Sequence, residues 1–172
     1  MLITRTLAGL PAYGPPAISF PKPNAFREGF VVEFTTNEGE SWIGNFSEGW
    51  RKRPHCVHAA HDGRSVVVAA GGSGYFVDAE AKKLIREFDV EDLWYLDDQR
   101  MFLASTGLWF EMFDVNGVRW QSQRISWDGM RKFEFLDASI RGEAYDPLSD
   151  GWVPFELNLH TGDVVGGSYC GA

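Results

Sequence analysis

The sequence predicts an all-β chain of three to four antiparallel sheet repeats, on three observations. The first is a recurring pattern: an apolar strand ending in an acidic or Gly-rich turn, a strand that opens on an aromatic, and a last strand after a short turn. The second is the spacing of the final turns, centred near Gly49, Lys82, Gly117 and Gly162, with steps of 33, 35 and 45 residues. The third is alternation. Phe133-Glu134-Phe135 and Phe155-Glu156-Leu157-Asn158-Leu159 put apolar and polar side chains on opposite faces, as a strand with one wet face requires. A repeat of this kind constrains the architecture before any residue is given a role.

A length of 172 residues suits one domain, and 44% apolar against 23% charged residues places the chain among globular proteins with a real core. The expected organisation is a proline-rich arm or edge strand over 1–26, then a β-repeat domain over 27–172. Its units are expected at about 27–54, 55–90, 91–126 and 127–172. In the arm, Leu2 to Leu7 suits a short strand. Pro11, Pro15 and Pro16 then break both helix and strand, and Ile18-Ser19-Phe20 sits between prolines. A disordered tail is the alternative reading of this arm.

From Gly29 onward, strands alternate with turns. Phe30, Val32 and Phe34 share a face, and Asn37-Glu38-Gly39 turns the chain into Trp42 to Phe46, with Ser47-Glu48-Gly49 leading to a last strand from Trp50. Val57 to Ala60 and the valine-rich Ser65 to Ala70 flank the Asp62-Gly63 turn, and Gly71-Gly72-Ser73-Gly74 leads into Tyr75 to Asp78. Ala79 to Phe88 contains good helix formers, but the equivalent place in the next unit is a hairpin, so a strand from Leu84 to Phe88 is expected. Leu93 to Leu96 and Arg100 to Ser105 flank Asp97-Asp98-Gln99. Asn116-Gly117, between Trp109 to Val115 and Val118 to Gln121, predicts a type I′ hairpin, because both residues tolerate positive φ. Trp152 to Leu159 pairs with Val164-Val165 across His160 to Asp163, after an insertion at Asp146 to Gly151.

These turns and aromatic-led strands resemble short bacterial β-propeller repeats, in which an Asp-Gly turn, a strand, a Gly turn and an aromatic-led strand recur. The resemblance runs from Gly29 to Tyr169 and implies a small or partial β-propeller, since a blade takes about 40–45 residues. Trp127-Asp128 occurs once and between units, so no Trp-Asp signature closes each repeat as in the WD40 family. An open meander or a barrel is the other arrangement such repeats can take, and any open edge needs covering by the arm or by a second chain.

A net charge of −8 sets the chain against nucleic acid and anionic membrane as partners and suits a basic protein, besides keeping the chain in solution. The longest apolar run, about Val66 to Gly72, is far short of a membrane span. No signal peptide is expected, because the early segment lacks an apolar core and is interrupted by prolines. Cys56 and Cys170 are then expected to be free thiols in the cytoplasm.

Little points to catalysis. His55-Cys56-Val57-His58-Ala59-Ala60-His61-Asp62 gathers ligand-type residues, and Cys56 with His58 would share one face of a strand; a strand and turn is the favoured reading over a metal site. Gly71-Gly72-Ser73-Gly74 meets neither the nucleophile-elbow nor the phosphate-loop pattern. Arg51-Lys52-Arg53 reads as a wet turn, and the pairs Glu91-Asp92 and Asp97-Asp98 as solvated acids. No catalytic residue and no cofactor are expected.

The aromatics carry more. Trp42, Trp109 and Trp152 start comparable strands and are expected in the core. Trp120 lies among polar residues, and beside Arg119 and Arg124 it is the candidate hot spot of a binding surface, with Asp97 and Asp98 as acidic contacts. The leading functional expectation is therefore a non-enzymatic protein-binding module. Its acidic, aromatic-rich character is similar to that of bacterial immunity proteins, which implies a basic toxin domain as partner. The alternatives are a small hydrolase or sugar-active lyase starting from His58 and Asp62, and a structural subunit completed by homo-oligomerisation.

Overall fold

The computed structural model describes residues 1–23, 27–52 and 54–169, and every regular element in them is a β-strand. Arg53 and Cys170 lie outside the described residues. The strands form four sheets of four. The first contains β1 (Ile3–Leu7), β2 (Ile18–Phe20), β3 (Phe30–Thr35) and β4 (Ser41–Phe46), in the order β1-β3-β4-β2. The second contains β5 (His55–Ala59), β6 (Ser65–Ala70), β7 (Ser73–Asp78) and β8 (Lys83–Asp89). The third contains β9 (Asp92–Leu96), β10 (Met101–Ser105), β11 (Phe110–Asp114) and β12 (Gly117–Gln121). The fourth contains β13 (Met130–Phe135), β14 (Ser139–Asp146), β15 (Gly151–Asn158) and β16 (Val164–Gly166). Each of the last three is an antiparallel meander in chain order, as in a propeller blade, and none closes into a barrel.

The first sheet departs from that plan. Its outer strands come from the proline-rich arm: β1 pairs antiparallel with β3, and β2 pairs parallel with β4. Among the described residues no strand starts from Trp50, where one was expected. Trp50 sits in a loop, 86% exposed, with Arg51 stacked on its ring at 4.5 Å. A single arm thus supplies what the first repeat lacks.

The chain divides into two compact units, Met1–Glu91 and Asp92–Ala172. In the first, Val32, Phe34 and Phe46 pack with Val66, Val68 and Val77, and Phe34 stacks on Trp42 at 4.4 Å. The indole of Trp42 donates to the carbonyl of Ala79 at 2.9 Å, and the hydroxyl of Tyr75 to that of Ser47 at 2.7 Å, so both buried polar tips are satisfied. β6 is buried along its whole length, which explains its unbroken run of valine and alanine. In the second unit, Leu103, Phe110 and Met112 pack with Ile140, Phe155 and Leu157. Each large side chain so buried contributes about 1.5–3 kcal/mol.

The turns correct one expectation. Asn116 is not among the described residues with positive φ, and Asp114 pairs with Gly117, so the loop is Val115-Asn116 and only Gly117, at φ 130°, is left-handed. The hairpin forms, but not as type I′. The paired positive φ values of that turn occur instead at Gly71 (58°) and Gly72 (102°), between β6 and β7. Three further hairpins end on a left-handed residue that is not glycine: Lys82, Arg100 and Asp150. Of the three tryptophans expected in the core, Trp42 is buried, whereas Trp109 and Trp152 are half-buried.

Candidate functional site

The fourth sheet has two chemically different ends, because β13 and β15 run from one to the other with β14 returning between them. At one end the β13–β14 turn and the β9–β10 turn line an open cleft of about 630 Å³. Asp97, Asp98 and Asp137 supply its charge, and Tyr95, Phe135 and Leu159 its apolar surface. The β9–β10 turn is closed by backbone bonds from Gln99 to Leu96 (3.1 Å) and from Arg100 to Asp97 (3.2 Å), which leaves the side chains of Asp97 and Asp98 in solvent. Leu136 donates to Ser139 across the other turn at 2.8 Å, and Asp137 at its tip is exposed. Phe135, 40% exposed, stands edge-on to Trp94 at 5.4 Å. Among the described residues none of the three aspartates forms an ion pair.

Two glutamates elsewhere on this sheet, Glu143 and Glu156, are paired. Arg131 and Lys132 both bond Glu143, at 2.8 and 3.1 Å, and hold its carboxyl below the usual range, Arg131 more strongly. Ser139 and then Arg141 do the same for Glu156. At the opposite end of the sheet, Tyr145 donates to Asp150 at 2.7 Å, which pushes its phenol pKa up. Arg131 lies over the ring of Trp152 at 3.9 Å.

The five residues expected to bind are not brought together. Asp97 and Asp98 stand on the cleft. Trp120 lies behind its wall: its half-buried indole donates to the carbonyl of Leu159 at 3.2 Å and packs on Gly162, where a Cβ would come within 2.7 Å of the ring. The distant β15–β16 turn therefore covers a tryptophan whose own neighbours are polar. Arg119 is exposed, with Asp114 at 3.5 Å. Arg124 is at the other end of the sheet, where it donates to the carbonyls of Ser126 (2.9 Å) and Trp127 (3.0 Å) and stacks on Tyr169 at 4.6 Å. There it fastens the C-terminal segment, together with Ser168, whose N–H bonds the carbonyl of Ile125 at 2.9 Å. Phe135 and Asp137 were not expected in the site. The Leu136-Asp137 turn after the alternating Phe133 to Phe135 is the signal that could have found them.

In the first unit, Cys56 pairs with Ala69 and His58 with Val67, so both lie on the face of β5 opposite the core-facing Val57. Burial pushes the Cys56 thiol up, away from the thiolate a metal needs. Among the described residues no group of three or more His, Cys, Asp or Glu is placed to hold a metal ion. Asp62 is committed to its turn: its carboxylate accepts from the N–H groups of Arg64 (3.0 Å) and Ser65 (2.8 Å) and from the Ser65 hydroxyl (2.7 Å). Burial opposes ionisation there, but these bonds outweigh it and hold the carboxyl low. A carboxylate so engaged is a turn former, not a free partner for His58. Among the described residues no helix is long and apolar enough to cross a membrane.

No protein-family model matches the chain, and a search of curated proteins finds no relative.

Proposed function

We propose that this chain is a non-enzymatic protein-binding module whose docking surface is the acidic, aromatic-lined cleft of its second unit. One observation carries the reading: Asp97, Asp98 and Asp137 surround the cleft with no ion-pair partner among the described residues, whereas Glu143 and Glu156 on the same sheet are paired. Charge left unneutralised around an apolar surface suits a partner that brings both arginine or lysine and an apolar anchor. Phe135 and Tyr95 offer that anchor a ring face, and an arginine can stack there while it meets the aspartates. The net charge of −8 steers a basic partner toward the chain from a distance. In its most specific form the partner is a basic toxin domain and this chain its cytoplasmic immunity protein.

The test is affinity capture from native lysate with the wild-type chain and an Asp97→Asn, Asp98→Asn, Asp137→Asn variant. A basic protein held by the wild type at low salt and missing from the variant is the expected result. No partner for the wild type, or one held equally by the variant, sinks the reading.

A further inference from the structure

We propose that Asn116 is a site of spontaneous deamidation and isoaspartate formation, a slow covalent clock built into the β11–β12 hairpin. The chemistry needs an asparagine whose side-chain amide is free to turn and a following nitrogen that is sterically open. Among the asparagines described in the structure, Asn116 alone meets both conditions.

Asn45 is buried, and its amide donates to the Ser19 hydroxyl at 3.2 Å and the Arg27 carbonyl at 3.1 Å. Asn37 donates to the Gly63 carbonyl at 2.9 Å, and the Asn158 oxygen accepts from His160 at 2.8 Å and Thr161 at 3.1 Å. Phe46, Glu38 and Leu159 follow these three and shield the attacking nitrogen. Asn116 is exposed and followed by glycine, and nothing stands within 4 Å of where a Cβ on Gly117 would lie. The amide of Asn116 has one weak contact, to Asp114 Oδ2 at 3.5 Å, the limit of a hydrogen bond. The hairpin also closes on an outer strand of its sheet, and Gly117, Val118, Arg119 and Gln121 are exposed, so local opening costs little.

The Gly117 nitrogen, after giving its proton to solvent base, attacks Cγ of Asn116. The new N–Cγ bond forms as the Cγ–Nδ2 bond breaks, and Nδ2 leaves as ammonia with one added proton. Water then opens the five-membered imide at either carbonyl. One opening gives aspartate; the other gives isoaspartate, with the main chain rerouted through the former side chain. Either product sets a second carboxylate beside that of the buried Asp114, so like charges oppose each other across the turn. Isoaspartate also lengthens the main chain just before β12, the strand that carries Trp120 to the carbonyl of Leu159.

The test incubates the full folded chain at mildly alkaline pH, beside the same chain unfolded in urea and a folded Asn116→Gln variant. Tryptic peptides are then followed by mass. The peptide from Met101 to Arg119 contains Asn116 as its only asparagine. It is expected to gain about one dalton and to split into two chromatographic forms. The rate in the folded chain is expected to lie within about tenfold of the unfolded chain's. The variant should gain nothing there. The mass gain separates this reaction from isomerisation at Asp128-Gly129 or Asp150-Gly151, which leaves mass unchanged. A peptide that stays unmodified in the folded chain while the unfolded chain converts overturns the proposal, as does conversion at Asn37 or Asn158 in its place.

Discussion

The two ends of the fourth sheet are built from the same kinds of residue and differ in what those residues still have to offer. Both carry aspartates and aromatics. At the end near Trp127, Arg124 is committed to two carbonyls and the Tyr169 ring, and Asp150 to the Tyr145 hydroxyl. At the end near Phe135, three aspartates have no ion-pair partner among the described residues, and a phenylalanine is open to solvent. On the proposed reading, unspent bonding capacity, more than residue type, marks the docking surface. Arg124 and Asp97 look alike as candidates in one dimension and part company in three.

The largest effect is expected from Trp120→Ala. If the indole supports the cleft wall through Leu159 and Gly162, its loss costs about 2–3 kcal/mol in urea unfolding. Unchanged stability with lost partner binding would return Trp120 to the role of an exposed hot spot. Arg124→Ala comes next. It is expected to cost about 1–2 kcal/mol, from two hydrogen bonds and a ring contact, with partner binding intact. Lost binding at unchanged stability would move the docking surface to the wrong end.

Acid pH separates spent from unspent carboxylates. Glu143 and Glu156 are held low in the folded chain, Glu143 by Arg131 before Lys132 and Glu156 by Ser139 before Arg141. Their contribution is complete above the unfolded glutamate value of about 4.3 and is lost as pH falls through the lower folded values. Melting curves of Glu143→Gln are therefore expected to depend less steeply on pH below about 4 than those of the wild type. A parallel pH dependence in the two proteins would contradict that pairing. The smallest effect is expected from Arg100→Gly in the β9–β10 turn. Arg100 sits at φ 55°, so glycine relieves strain and is expected to stabilise by about 0.5 kcal/mol, measured as a raised denaturation midpoint.

Much of the fold was legible in the sequence because its signals are local. The valine run of β6, the alternation of β15 and the glycine pair after β6 each depend on a few adjacent residues. What was not legible depends on distant chain. β2 exists because it pairs in parallel with β4, and a three-residue segment between prolines carries no sign of that. Trp50 reads as a strand start, yet the arm supplies the outer strands of its sheet. Left-handed Lys82, Arg100 and Asp150 are dictated by hairpin geometry in place of the glycine that would have announced them. The candidate site was half legible: Asp97 and Asp98 advertise a solvated turn, but their meeting with Phe135 and Asp137 is made by two hairpins well separated in the chain.

The most direct test of the central claim is a hydrogen-exchange footprint of the captured partner on this chain. Protection is predicted at 95–99 and 135–137, the two turns that line the cleft, with none at 124–129 or 145–152. Protection confined to the Arg124 end, or to the first unit, would contradict the account.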